Sequence, residues 1–383
     1  MALVLIFRQN SAIKTFTDSS WRFSLNEPKR CLMIGAGGMA HSWIHEFWPP
    51  FRGRAEIVAL VDVNPNTLRE AGDFLELSVS QRFTQMATAF DAVEADFCCI
   101  VTPPAFHQQA VELACERKFD ILSEKPIADT WQACCEIYQT VQAAGVKMMV
   151  TQNYRYSPRI ATLKKAISEL GLVNYVVSRY ASDWRERKEG WYIHHAPHPI
   201  LVDCAIHHFD QIRNLSNADC HTISGYSYNP ATLRGGADAF QGGASFDGDA
   251  CALFTLRMNS GSFAQYEGSN IASGKTNSWH EEYYRVECEG GAAVLDSDNS
   301  VRIEERSGHV TNVRELPLEE LTQVGHGAII EQFLNWLDGD ATPVTVLEDN
   351  IRSNALMFAA IESAAQSTLV DVNAMIKNLE KCD

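Results

Sequence analysis

The feature that most limits what this chain can fold into is a strand that runs without a break into a glycine turn. Cys31-Leu32-Met33-Ile34 is apolar, and Gly35-Ala36-Gly37-Gly38-Met39-Ala40 follows at once. The spacing Gly35-x-Gly37-x-x-Ala40 matches the dinucleotide fingerprint. The first glycine permits a tight turn, the second lets the backbone approach a pyrophosphate, and the small third residue lets helix and strand pack closely. A helix then runs to about Trp48, where Pro49-Pro50 stops it. Its N-terminus offers free N–H groups and a positive dipole end to phosphates. Asp62 ends the second strand, 22 residues after Ala40. A carboxylate there accepts hydrogen bonds from ribose hydroxyls and repels a 2′-phosphate. No arginine follows in Val63-Asn64-Pro65, so NAD is expected over NADP. Taken alone, the motif also fits a glycine turn that holds no ligand.

The rhythm around this turn sets the fold class. Strand patterns at 31–34, 56–61, 97–101, 120–124 and 147–151 alternate with helical ones. Asn64 caps the helix that Pro65 opens, another helix runs to about Lys118, and another covers 130–144. Strands separated by helices of this length make βαβ units and a parallel sheet. After residue 151 the rhythm changes. A helix at about 157–170 leads to a strand at 172–181, a Trp-, Arg- and His-rich loop at 183–198, and a helix at about 199–216. Strand patterns then occupy 221–228, 249–258, 262–269, 281–288, 291–296, 300–305 and 311–316, which predicts a large, mainly antiparallel sheet. Helices at about 326–338 and 348–367 close the chain. The glycine-rich acidic stretch Gly235–Gly248 reads as a long connection or a mobile cover. Residues 1–29 read as an extension, 30–151 as one domain and 152–383 as a second.

Bulk composition narrows the partners. A length of 383 residues suits two domains. A net charge of −16 argues against nucleic-acid and anionic-membrane surfaces, which select basic faces. The 11 cysteines include no Cys-x-x-Cys pair, and Cys98-Cys99 and Cys134-Cys135 lie in apolar patterns. Reduced, buried thiols in a cytoplasmic protein are expected. The apolar run Ala2–Phe7 lacks a basic flank and an Ala-x-Ala exit, so it is not read as a signal peptide. No apolar run approaches the length of a membrane span.

Three clusters carry chemistry. Asp120-Ile121-Leu122-Ser123-Glu124-Lys125-Pro126 is a short strand that ends in a charged pair and a proline. Pro126 disfavours the α region at Lys125, so the lysine is held extended at the strand end. It is either a solvated turn lysine or a catalytic lysine facing the cleft at the carboxyl ends of the strands. Asp203-x-x-x-His207-x-x-Asp210 puts a carboxylate and an imidazole one helical turn apart. That suits a histidine general base, or equally a surface pair. The loop after Ala181 carries Trp184, Trp191 and Tyr192, which could stack on sugar faces, and Arg185, Arg187 and Lys188, which could hold an anionic group. A merely solvated loop is the alternative. His194-His195-x-x-His198 matches no zinc spacing, and no metal is expected.

Taken together these residues resemble the glucose-fructose oxidoreductase/inositol dehydrogenase family (Gfo/Idh/MocA). The carriers are Gly35–Ala40, Asp62, Thr102-Pro103-Pro104-x-x-His107, Glu124-Lys125-Pro126, Asn153-Tyr154-Arg155-x-x-Pro158 and Asp203-x-x-x-His207, and the likeness spans about residues 30–370. The resemblance implies an α/β protein with an N-terminal Rossmann domain and a C-terminal α/β domain built on an open sheet. That sheet would pair copies into dimers or tetramers. It implies NAD as cofactor, held by Gly35, Gly37, Gly38, Met39, Asp62, Thr102, Pro103, His107 and Glu124. Lys125, Asp203 and His207 become the catalytic residues, with His207 as base, Asp203 orienting it and Lys125 on the reacting oxygen. Tyr154 and Arg155 join Lys125, Asp203 and His207 as substrate contacts, and so, from their residue types alone, do Trp184 and Arg185, in a 183–198 loop that matches no family motif. The expected activity is hydride transfer between a sugar, sugar acid or polyol carbon and nicotinamide. The alternatives are bond cleavage or elimination through transient oxidation, and a non-catalytic NAD-bound sensor.

Overall fold

Two sheets divide the chain in a computed structural model that describes residues 27–185, 196–230, 247–275, 279 and 282–379. The first contains β1 (Lys29–Ile34), β2 (Ala55–Val61), β3 (Arg82–Phe83), β4 (Phe97–Ile100), β5 (Asp120–Ser123) and β6 (Met148–Val150). All its pairings are parallel, in the order β3-β2-β1-β4-β5-β6. The order reverses between β1 and β4, and the crevice above that point is where such sheets bind ligands. Cys31 to Ile34 are completely buried, as expected for a strand covered on both faces. Asn64 caps the helix Pro65–Phe74, accepting the N–H groups of Asn66 and Thr67. Strand β3 and the helix Met86–Ala92 had no counterpart in the sequence patterns, because two and seven residues are too short to show a period.

The second sheet has nine strands. Its members are β7 (Val173–Ala181), β8 (Cys220–Tyr228), β9 (Cys251–Met258), β10 (Phe263–Ser269), β11 (Tyr283–Cys288), β12 (Ala292–Leu295), β13 (Val301–Ser307), β14 (Val310–Leu316) and β15 (Val370–Asp371). The order is β14-β13-β12-β11-β7-β10-β9-β8-β15, antiparallel except where β10 runs parallel to β7. Helices Pro158–Leu170 and Ile206–Ser216 and the long helix Leu347–Gln366 share one buried cluster with it, through residues such as Leu163, Phe209, Leu356 and Tyr266. Along β9 and β10 exposed and buried residues alternate, so the opposite face is open.

The chain does not leave the first sheet at residue 151. Helix Gly325–Leu337 puts Ile329, Ile330, Phe333 and Leu334 into one cluster with Met33 and Phe97. Leu347 and Ile351 join the cluster of Ile34 and Ile121 on the other side. The late helices thus tie the two sheets together. Nine described cysteines are free and buried, but Cys135 is disulfide-bonded, which corrects the expectation of reduced thiols throughout. A single crosslink needs no cysteine framework, so spacing carried no sign of it. Among the described residues, no helix is long and apolar enough to cross a membrane. The extension up to residue 26 and most of Gly235–Gly248 lie outside the described residues.

Candidate active site

The site begins where β5 and β6 end side by side. Ser123 lies opposite Val150, and the Thr151 N–H and hydroxyl both donate to the Ser123 carbonyl, at 2.9 and 3.0 Å. Beyond that lock the chain carries Glu124 and Lys125 on one side and Gln152 on the other. The Lys125–Pro126 peptide is cis. The Lys125 Nζ donates to Asp203 Oδ1 at 2.7 Å and reaches the Asp203 carbonyl at 3.3 Å. Asp203 sits in a π-helical turn, Ile200–Ala205. A second π turn, Trp43–Phe47, sends the Trp43 Nε1–H to Glu124 Oε1 at 2.8 Å. Such wide turns are rare and gather at functional sites. Here each supplies the partner of one member of the Glu124-Lys125 pair.

Burial and charge oppose each other at this pair. Burial alone would favour a neutral Lys125 amine. The Asp203 carboxylate beside it and Glu124 outweigh that, and the ammonium is held above the ordinary lysine range. Burial would likewise raise Glu124, but His326, Lys125 and Trp43 hold it below the usual carboxylate value. His326 Nε2 lies 3.3 Å from Glu124 Oε1, and its ring stacks on Phe47 at 4.3 Å. Neither Trp43 nor His326 carried a signal in the sequence, since each meets Glu124 only through the fold.

His207 comes to the same place, though not oriented as expected. Its Nδ1 lies 3.2 Å from Gln152 Oε1, and the Tyr154 ring stacks on it at 4.3 Å and 9°. The carboxylate expected to orient it is bonded to Lys125 instead. Asp203 lies in the π turn and His207 in the α-helix that follows it. Tyr154 is therefore a platform for His207, anchored by its hydroxyl on the Trp279 carbonyl at 2.9 Å.

The residues at the switch point fit a dinucleotide. Gly35 has φ +108°, and a Cβ there would run into the Val101 carbonyl oxygen, so only glycine fits. Gly38 also has positive φ, with open space around it, and precedes the helix that begins at Met39. Asp62 Oδ2 accepts the Ala36 N–H at 2.8 Å and the Gly37 N–H at 3.3 Å, so the carboxylate lies at the glycine turn. Thr102, followed by Pro103, comes at the end of β4, across from that turn. Its Oγ1 is buried without a partner among the described residues, an atom that a bound group would satisfy.

Four expected contacts are spent elsewhere. His107 is fully buried; its Nε2 lies 2.9 Å from the Thr102 carbonyl and its Nδ1 3.1 Å from that of Pro126. It braces the two loops that carry Thr102 and Lys125. Arg155 is bidentate to Asp210, with both bonds at 2.7 Å, and also reaches Asp349 at 2.8 Å. Trp184 is 0% exposed and packs on Trp279 at 4.5 Å, so it is core and not a sugar platform. Arg185 bonds Asp183 through two nitrogens, at 2.8 and 2.5 Å. Arg187, Lys188, Trp191, Tyr192, His194 and His195 lie outside the described residues, while His198 pairs with Asp249 at 2.9 Å.

Comparison with known proteins bears on this geometry. Residues 29–152 match the family model described as "Oxidoreductase family, NAD-binding Rossmann fold". Residues 164–372 match the one described as "Oxidoreductase family, C-terminal alpha/beta domain". The chain is 35% identical over 363 residues to the uncharacterized protein y4oX of Sinorhizobium fredii, covering 91% of this chain and 97% of that one. It is 24% identical over 352 residues to a D-apiose dehydrogenase of Paraburkholderia graminis, covering 90% and 89%. A 2,7-anhydro-N-acetylneuraminate hydratase of Mediterraneibacter gnavus is 23% identical over 290 residues, covering 71% and 70%.

Proposed function

Because the chain belongs to the Gfo/Idh/MocA family of NAD-binding oxidoreductases, we propose that it oxidises a hydroxyl-bearing carbon of a sugar, sugar acid or polyol, or runs the reverse reduction. The observation that supports this reading is the buried ion pair between Lys125 and Asp203, with His207 four residues further along the same helix. Bound NAD supplies the acceptor for the hydrogen and electron pair that leave the carbinol carbon. His207 takes the hydroxyl proton, through the nitrogen not engaged by Gln152. The Lys125 ammonium donates to the same oxygen and stabilises the negative charge that builds there as the C=O bond forms. Asp203 keeps that ammonium charged and aimed. In this reading residues 30–151 hold NAD, and 152–383 supply the substrate contacts and His207.

Gly35, Gly37, Gly38, Met39, Asp62, Thr102 and Pro103 hold the dinucleotide in this account, with Glu124 beside its reacting end. Asp62 then sets the cofactor preference. Wild-type protein is expected to bind NAD at least tenfold more tightly than NADP, about 1.4 kcal/mol. Asp62→Ser is expected to shrink that ratio several-fold, chiefly through weaker NAD binding. Fluorescence titration with both cofactors measures it; an unchanged ratio would remove Asp62 from the ribose site.

Of the three cations expected to hold an anionic group, Arg185 is already paired with Asp183, while Arg187 and Lys188 lie outside the described residues. The test is a panel of neutral sugars, uronates and polyols with NAD and NADP, following the absorbance of the reduced cofactor. The hydratase relative favours a second reading, in which oxidation is transient and NAD is regenerated. Product without net reduced cofactor would select that reading. The open face of the nine-stranded sheet, where Tyr226, Leu253 and Phe263 are exposed, is the surface proposed to pair copies of the chain. A monomer in sedimentation at micromolar concentration would contradict that pairing.

A further inference from the structure

We infer that Gln152 is a positioning residue that fixes the tautomer of His207, with Nδ1 protonated and Nε2 left as the basic nitrogen. The inference rests on the reading of His207 as the base and adds how it is held ready.

Three observations carry it. Gln152 is completely buried and follows directly on the Thr151 lock at the end of β6, so its backbone is fixed beside the strand that ends in Lys125. Its Oε1 lies 3.2 Å from His207 Nδ1, while its Nε2 has no partner among the described residues. The carboxylates at hand are committed: Asp203 to Lys125, and Glu124 to Trp43, His326 and the Lys125 N–H. An amide is thus the group that meets Nδ1.

The chemistry distinguishes the two ways round. If Oε1 accepts, Nδ1 carries the proton and Nε2 keeps its lone pair. If the amide were reversed, its N–H would donate to Nδ1, the proton would sit on Nε2, and the ring would have no free lone pair while that bond lasted. Only the first arrangement leaves a base. A neutral amide also differs from a carboxylate in what it stabilises. It orients the ring without adding the charge that would hold it as imidazolium before substrate arrives. The flat stack of Tyr154 restricts the ring to rotation in its own plane, so the Gln152 bond is the element that selects the edge presented to substrate.

The test needs no substrate. Full-length protein saturated with NAD and labelled with ¹⁵N at histidine is examined by long-range ¹H–¹⁵N correlation near neutral pH. The His207 signals are identified by their loss in His207→Gln. Wild-type protein is expected to show a protonated Nδ1 and a bare Nε2. Gln152→Met, which removes the acceptor, is expected to shift His207 toward the Nε2–H form. Gln152→Glu, which keeps an acceptor there, is expected to restore Nδ1–H. A wild-type ring protonated on Nε2 would overturn the inference, and so would an unchanged tautomer in a Gln152→Met protein that still binds NAD. Failure of the functional reading shows separately, as normal turnover in His207→Ala whatever the tautomer.

Discussion

Lys125→Ala is expected to lower turnover by about 10²- to 10³-fold, the usual loss when one donor to a developing oxyanion is removed. NAD binding is expected to stay within a few-fold of wild type, because the glycine turn, Asp62 and Thr102 are untouched. The size of the effect follows from the setting. Lys125 is 13% exposed and Asp203 7% exposed, so the ammonium acts where water screens it little. The substitution also strands the Asp203 carboxylate in the same low-dielectric site, which costs stability as well as rate. The double variant Lys125→Met/Asp203→Asn separates the two effects. It removes both charges, so it is expected to recover much of the stability and none of the turnover. Steady-state rates and melting curves of the three proteins check this. Full stability and near-normal rates in both variants would take Lys125 out of the mechanism.

Arg155→Met is expected to cost about 3–5 kcal/mol, the range for removing one partner of a buried ion pair. At about 2–4 °C per kcal/mol for a large domain, the melting temperature falls by roughly 10 °C. Arg155 joins three elements. It is bidentate to Asp210, bonds Asp349 at the start of the long C-terminal helix, and donates to the Val344 carbonyl. Asp210 is completely buried, and without Arg155 it keeps Ser353 at 2.8 Å and Arg213 at 3.6 Å. Asp210→Asn in the Arg155→Met background is expected to recover part of the loss, since it removes the stranded charge. Chemical denaturation of the single and double variants reads this coupling. A loss below 1 kcal/mol would mean that Arg155 is dispensable to the fold, and would reopen its reading as a substrate contact.

Much of the fold was legible because its signals are local. The run Cys31–Ile34, the glycine turn and the cap at Asn64 each declare themselves within a few residues. Period-2 strands separated by turns gave the second sheet nearly strand for strand. The pairing of β10 parallel to β7 was not legible, because register between distant strands has no local mark. Lys125 stood out because a charged residue at the end of a buried strand is costly unless it has a partner, and Asp203 because it stands one helical turn before His207, while their pairing with each other had no local mark. The aromatic and basic residues misled for a matching reason. Trp184 is as apolar in the core as it would be against a sugar, and sequence cannot tell the two apart. Arg155 finds its carboxylates 55 and 194 residues away. Arg185 is the exception, since Asp183 stood two residues before it in plain view. Gln152 was also within reach, because it occupies beyond β6 the place that Lys125 occupies beyond β5.

The most direct test of the account is a single-turnover experiment. Protein loaded with NAD is mixed in excess over each member of the sugar and polyol panel, and the absorbance of the reduced cofactor is followed from the first milliseconds. This detects net and transient oxidation alike. The account predicts a rise with at least one hydroxyl substrate in the wild-type protein. It also predicts that Lys125→Ala and His207→Ala, each still saturated with NAD, lose the rise or show it at least a hundredfold more slowly. No rise with any substrate in the wild type, or a rise at near-wild-type rate in both variants, would contradict it.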